Sequence, residues 1–503
     1  MKNYFSQNRS ILDLLIKKSE LNPEHILFID KRNKITRKKL LVKILETKGG
    51  LKKKGLKRGD RVVSLLNNSY EEILLFLACV TSGIIWIPLG ENRKGVGLEY
   101  ILKLTKPKII FSKKKILKNL SKTIVKKVFK INKNLKNLES EKYFLNNKDI
   151  NKLSCIIFTS GTTGPPKGVM VTQKMLLAAA YGTKLAADVN KGDRFLLWES
   201  LYHIGGLEII ILTLFEEIQV FITKKFSARN FWALVRKYKI NKLHYLGGIL
   251  DILLRLKKNI YDKKQIIKLG FGAGARSEVV KEFKNRFNIK LREVYGMTEA
   301  SSFTTINFDS KKESIGKAVS WFNVKIFKKN SSDDIGEIVI NEKIKGLLTK
   351  GYYKNKNATK ELIQKDGLHT GDLAKKDKEG NFFYIGRLKD SVRVRGENIS
   401  AWEIETTLNK LSYISESSVL KVKAEIGEYE ILALIIAKNN DFTINKIVNK
   451  CKNNFSKNYL PRYWCLTKDF PRTPTLRVDK KKIKIKDYQF FDRVKNNFIK
   501  FNI

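Results

Sequence analysis

Cysteine, histidine and proline are scarce, at four, four and eight in 503 residues. Cys79, Cys155, Cys451 and Cys465 have the spacing of neither a zinc site nor a redox pair. A chain this long also needs no disulfide staples, so a reduced, cytoplasmic setting is expected. No linker rich in Pro, Gly or Ser and no internal repeat interrupts the chain. Met1 to Leu15 lacks the apolar core and small-residue cleavage site of a signal peptide. Long apolar runs are missing too, apart from Ile73 to Leu89, which is at the short limit for crossing a bilayer. There Asn68 and Ser69 can cap a helix, Glu71 and Glu72 suit its first turn, and Gly83 can end it. Ile84 to Ile87 then reads as a buried strand closed by Pro88, so the expectation is a core helix and strand rather than a transmembrane segment.

Acidic residues are the other shortage. Asp and Glu total 49 against 100 Lys and Arg, a formal net charge of +51. Such a charge suits a polyanion or an anionic membrane surface. The lysines are nevertheless scattered, and runs such as Lys113-Lys114-Lys115 and Lys480-Lys481-Lys482 never build into a basic arm. Solvated lysine faces are the expectation, with no specific nucleic-acid partner and with peripheral membrane contact left open. Small anionic substrates would still be drawn in, less so at high salt.

What remains is globular: 43% hydrophobic and 30% charged residues, enough for two to four structural units. Residues 1–150 alternate helical with strand patterns, as at His25 to Ile29, Arg61 to Leu66 and Lys108 to Phe111. The alternation resumes from Leu153 to about Ile289, with strands at Ile218 to Ile222 and Leu243 to Leu246 and a helix at Phe231 to Tyr238. It implies an α/β fold around largely parallel sheets. Lys113 to Lys148 reads as variable surface, and Ser320 to Ile385 as shorter strands between turns. A smaller segment follows, with a helix at Ala401 to Lys410 and strands at Ser418 to Val422 and Tyr429 to Ala437. The fold class is therefore a large N-terminal domain of layered α/β subdomains, 1–388, plus a smaller α+β C-terminal domain, 389–503.

Thr159-Ser160-Gly161-Thr162-Thr163-Gly164-Pro165-Pro166-Lys167-Gly168 follows the apolar strand Cys155 to Phe158. Glycines and hydroxyls after a strand can wrap phosphates, with Lys167 as a point charge. The spacing is not that of the G-x-x-x-x-G-K-[ST] loop of kinase-like NTPases. Further along stand Tyr295-Gly296-Met297-Thr298-Glu299, then Gly367 to Leu373, and then Gly386 to Asp390 running into Arg395 to Ser400.

These stretches, in this order, resemble the adenylate-forming superfamily of acyl-CoA synthetases, peptide-synthetase adenylation domains and firefly-type luciferases. The resemblance covers nearly the whole chain. It implies an enzyme in which a carboxylic acid attacks the α-phosphorus of ATP. Pyrophosphate leaves, and the acyl group passes from AMP to coenzyme A. Thr159, Ser160, Gly161, Thr162, Thr163, Gly164 and Lys167 would hold the outgoing phosphates. Thr298 would touch the α-phosphate, and Glu299 would bind Mg²⁺ together with Thr162. Asp372 would take the ribose hydroxyls and Arg387 the same sugar; an isolated Asp after Gly371 also reads as a turn cap. Gly272-Ala273-Gly274-Ala275 resembles the segment lining adenine, beside Tyr295, Gly296 and Met297.

Trp198 to Gly206 resembles the stretch before the acyl-pocket helix. His203, Gly205 and Gly206 would line that pocket, although a lone histidine is equally readable as structural. No Asp stands there to meet an amino group, which disfavours amino acid substrates. Arg393 to Ser400 most resembles ligases of the carnitine/crotonobetaine-CoA type. On that likeness Gly396 lets pantetheine pass and Arg395 reaches CoA phosphates, unless such strand arginines face solvent. Lys389 would be the hinge of a mobile small domain. One departure stands out. Arg477 occupies the position of the usual catalytic lysine, after Leu476 rather than glycine. Three readings follow: Arg477 serves, Lys480 substitutes, or the chain is a catalytically impaired homologue that binds nucleotide or acyl-CoA without efficient turnover.

Overall fold

A computed structural model describes residues 9–113, 128–130, 149–159, 165–275, 277–328, 335–387, 392–394, 397–399, 401–424, 429–439, 443–456, 458–471, 478 and 480–501. Contacts divide the chain into two compact units: 1–91 with 105–158 and 168–388, and 92–104 with 159–167 and 389–503.

The first unit is built around three sheets. One has six strands, ordered Val128–Lys130, Ile109–Ser112, Arg61–Leu65, Ile85–Pro88, Leu153–Thr159 and Lys167–Thr172. Its first five strands pair in parallel, for example Val62 with Trp86 and Val62 with Ile109. A nine-stranded sheet has a parallel centre, running from Lys290–Tyr295 through Leu269–Ala273, Lys242–Leu246, Arg194–Leu197 and Gln219–Ile222 to Ile26–Asp30, with antiparallel strands at both edges. Near-continuous apolar strands such as Phe195 to Leu197 and Val220 to Ile222 suit a sheet covered on both faces. The third sheet, spanning Phe322 to Arg387, has five strands, and each of its pairings is antiparallel. The sheets are thus mixed, and the α/β reading holds.

The apolar run resolves as expected. Tyr70–Ser82 is a helix whose first turn is held by Ser69 Oγ, which accepts from Glu72 N at 3.3 Å. Gly83 ends it with φ 74°, a conformation only glycine adopts without cost. Ile85–Pro88 follows as a buried strand, with the Trp86 ring 4.7 Å from Phe76. Among the described residues no helix is long and apolar enough to cross a membrane. Of the Lys113 to Lys148 stretch, only Lys113 and the edge strand Val128–Lys130 fall within the described residues. All four cysteines are buried free thiols.

In the second unit a five-stranded sheet runs Ile414–Lys423, Tyr429–Ala437, Tyr463–Leu466, Phe490–Asp492 and Asn497–Ile499. Its core packs Ile404, Leu408, Ile447 and Val448, from the helices Ala401–Asn409 and Ile444–Cys451, with Val419, Ile431 and Trp464 of the sheet. The segregation of helices and mixed strands matches the α+β expectation.

Candidate active site

The strand Lys290–Tyr295 ends in a turn that only glycine can make. A Cβ on Gly296 would run into the Ser302 carbonyl oxygen. Ser301 and Ser302 both take left-handed backbone, φ 53° and 72°. This tight reversal buries Thr298 and Glu299 in one turn of 3₁₀ helix. Glu299 Oε1 accepts from Tyr352 Oη at 2.8 Å, and Thr349 N donates to the Glu299 carbonyl at 2.8 Å. Tyr353 N also donates to Gly168 O at 2.7 Å, and Tyr352 bridges Val169. The strand that follows the glycine- and hydroxyl-rich loop is therefore tied to the segment that holds Glu299.

A second cluster forms at the same end of the nine-stranded sheet. Tyr295 Oη donates to Asp372 Oδ2 at 2.7 Å. Asp372 is buried, follows Gly371 at φ 73°, and takes a backbone bond to Thr370 Oγ1 at 3.1 Å. Arg387 is its register partner on the neighbouring strand. Asp372, Arg387 and Tyr295 are thus brought together by backbone and register. Gly272, Ala273 and Gly274 end the strand Leu269–Ala273 beside Glu293, whose Oε1 accepts from the backbone N–H of Gly274 and, at 3.4 Å, from that of Ala275. Glu293 Oε2 accepts from Tyr245 Oη at 2.8 Å. The glycines permit close backbone contact: a Cβ on Gly272 would meet Tyr245 O, and one on Gly247 would meet Gly274 O.

On the acyl side, His203 is the cap residue of the helix Ile204–Leu212, its ring 4.5 Å from Tyr202. Gly205 leaves room for the Glu199 carboxylate and Gly206 for the Ser200 carbonyl. Glu199 Oε2 lies 3.1 Å from His244 Nδ1. The His244 ring stacks with both Trp198 and Phe271, and burial pushes its pKa down to about 4, so the imidazole is neutral. Glu208 on the same helix is fully buried, which raises its carboxyl well above the usual range. It accepts from Ser302 Oγ at 2.6 Å, linking the helix to the turn after Glu299.

Sequence reasoning missed Glu199, Glu208, Glu293, His244 and Tyr352. Glu293 was findable, because it faces the same side as Tyr295 two residues on. Glu199 stood inside the stretch singled out for its lack of Asp.

Ser160 to Gly164, Lys389, Arg395, Gly396 and Arg477 lie outside the described residues, and only the backbone of Arg387 is described. In the second unit, Thr159 Oγ1 donates to Lys167 O at 3.4 Å. Lys480 Nζ is engaged by Glu405 Oε1 at 2.5 Å and by Val419 O at 3.1 Å. Among the described residues no three His, Cys, Asp or Glu side chains gather into a metal cage. A single buried carboxylate, Glu299, suits a cation shared with phosphates, since Mg²⁺ keeps most of its ligands as phosphate oxygens and water.

The sequence profile of the AMP-binding enzymes matches residues 16–353. The chain is 26% identical to a 2-succinylbenzoate–CoA ligase of Bacillus cereus over 486 residues, 93% of this chain and 97% of the relative. It is 28% identical over 340 residues to a crotonobetaine/carnitine–CoA ligase of Escherichia fergusonii, covering 65% and 66%. Among solved structures, the o-succinylbenzoate CoA synthetase of Bacillus subtilis with a product analogue bound superposes with TM-score 0.83 at 21% identity, covering 94% and 98%. An amide bond synthetase of Marinactinospora thermotolerans superposes with TM-score 0.81 at 16% identity, covering 94% and 98%. With two thirds of its length matched by one profile, and with that match spanning the glycine-rich loop and the Glu299 turn, the chain belongs to the AMP-binding enzyme family.

Proposed function

We propose that this protein is an AMP-forming acid–thiol ligase. It joins a carboxylic acid to ATP as an acyl-adenylate, then transfers the acyl group to coenzyme A and releases AMP. Relatives with nearly the same span carry CoA-ligase names, which supports a thiol acceptor. The fold alone is also compatible with an amine acceptor, as the amide bond synthetase illustrates.

A carboxylate is a poor electrophile because oxide is a poor leaving group, and adenylation replaces that oxide with AMP. Two anions must meet, so charge must be neutralised and geometry held. Thr159 to Gly164 and Lys167 would cradle the β- and γ-phosphates, Thr298 the α-phosphate, and Glu299 with Thr162 a Mg²⁺ shared with those oxygens. When bound, Mg²⁺ would neutralise phosphate charge and polarise the α-phosphorus. Asp372 and Arg387 would hold the ribose, and Gly272 to Gly274 with Tyr295, Gly296 and Met297 the base. His203, Gly205 and Gly206 would line the acyl pocket. Arg477 would bridge acyl and phosphate oxygens, being permanently charged and able to donate to two of them. Arg395 and Gly396 would admit CoA, with 389–503 turning about Lys389 between the two steps. The setting is cytoplasmic. The impaired-homologue reading keeps one observation in its favour, Arg477 after Leu476.

The observation that carries the nucleotide reading is the part-buried Tyr295–Asp372 hydrogen bond with Arg387 in register. Tyr295→Phe removes a charge-assisted bond that orients Asp372. It should raise the KM for ATP about 10-fold while changing the KM for the acid little. Steady-state kinetics with each substrate varied checks this. A rise confined to the acid KM would remove the ribose assignment.

A further inference from the structure

Between Lys224 and Lys268 the sequence holds thirteen Lys or Arg and only two acids, Asp251 and Asp262. Within this stretch the loop from the helix Gly247–Leu254 to the strand Leu269–Ala273 inverts the usual burial pattern. Ile260 is 79% exposed, Tyr261 46% and Ile266 46%. Around them Arg255, Lys257, Lys258, Lys263, Lys264 and Lys268 are all exposed. Asp262, the one acid of the loop, is turned inward, 2.8 Å from Arg286 Nε.

The loop is braced. Asn259 N donates to Asp262 Oδ2 at 3.1 Å, Tyr261 N to Asn259 Oδ1 at 3.0 Å, and Gln265 Nε2 to Tyr261 O at 3.0 Å. Arg286 also donates to the carbonyls of Leu254 at 2.5 Å and Lys257 at 3.0 Å. Arg236 stacks over the Tyr261 ring at 5.4 Å. The apolar tips are therefore presented by a fixed scaffold, and outward display costs little ordering entropy on docking.

We propose that this loop docks the protein on an anionic lipid bilayer, with Ile260, Tyr261 and Ile266 entering the headgroup boundary and the surrounding cations meeting lipid phosphates. Charge complementarity selects the partner. Exposed lysines near an anionic leaflet each add to membrane affinity, and apolar side chains add a short-range insertion term. A nucleic acid would use the same cations, but the two isoleucines offer no flat ring on which bases could stack, and Arg236 already lies over the ring of Tyr261. The inference goes beyond the ligase reading and does not depend on it, because the docking needs neither ATP nor CoA.

The test is co-sedimentation of the full chain with vesicles of phosphatidylcholine alone and of phosphatidylcholine with 30% phosphatidylglycerol, without nucleotide. Binding is expected only to the anionic vesicles, falling steeply with salt. Lys257→Glu with Lys258→Glu, Lys263→Glu and Lys264→Glu should weaken it by at least ~100-fold. Ile260→Ser with Ile266→Ser should weaken it about 10-fold at unchanged net charge. Four reversals on the elements at the far edge of the nine-stranded sheet, Lys17→Glu, Lys34→Glu, Lys38→Glu and Lys39→Glu, should weaken it far less. An equal loss from these control reversals would overturn the proposal, as would full binding by the isoleucine variant. So would loop-dependent retention on duplex DNA or RNA without vesicle binding. Unchanged circular dichroism across the variants excludes misfolding.

Discussion

Glu299→Gln is expected to lower the rate of acyl-adenylate formation by about 10²- to 10³-fold, with the protein still folded. Gln has the same shape and can still accept from Tyr352 Oη, the bond that sets the Glu299 side chain at 2.8 Å. What it cannot supply is a negative charge for a cation shared with the phosphates. Single-turnover pyrophosphate release under saturating Mg²⁺ and ATP measures the loss. Tyr352→Phe separates charge from position. It leaves the carboxylate intact but loosens it, so its defect should be smaller, on the order of 10-fold. A Glu299→Gln enzyme with wild-type turnover would mean that this buried acid is structural.

Gly296→Ala is expected to damage the site through backbone rather than chemistry. The added methyl would meet the Ser302 carbonyl oxygen, an atom fixed by Ser302 N donating to Met297 O at 3.0 Å and by the left-handed backbone at Ser301 and Ser302. No flexible side chain is available to give way, so the turn itself must open. Overpacking of this kind costs ~3 kcal/mol. Because the turn carries Thr298 and Glu299, adenylation should fall at least as far as in Glu299→Gln, now with a lowered thermal midpoint. Gly371→Ala is the useful contrast. Its φ is positive, at 73°, whereas that of Gly296 is not, and nothing lies within 4 Å of its added Cβ. It should show the conformational cost of ~1 kcal/mol alone. Calorimetry of the two variants side by side checks the difference. Equal midpoints would mean that the close approach at Gly296 is relieved cheaply.

Much of the architecture was legible because it is local. Ser69, the acids after it and Gly83 delimit a helix by capping alone, and Tyr429–Ala437 is a strand by apolar and β-branched content alone. The glycine-rich loop and the Glu299 turn were legible as short motifs. The partners that fix those motifs were not. Tyr352 lies 53 residues from Glu299, and Asp372 lies 77 residues from Tyr295. No spacing rule links such residues until sheet order brings them together. Glu199 and His244 meet only because Trp198 follows the strand Arg194–Leu197 and donates from its indole to His244 O at 3.0 Å. The tethering of the strand after Thr159 to Lys167 onto Tyr352 and Tyr353 likewise depends on the chain's return through Leu347 to Gly351, which no periodicity announces.

The most direct test follows oxygen. A carboxyl oxygen that strikes the α-phosphorus must end in AMP when the acyl group leaves. With ¹⁸O-labelled carboxylic acid, ATP, Mg²⁺ and CoA, mass spectrometry should find one labelled oxygen in each AMP formed and none in pyrophosphate. Label in pyrophosphate or phosphate, unlabelled AMP, or no AMP from any acid in a broad panel would contradict adenylation at this site.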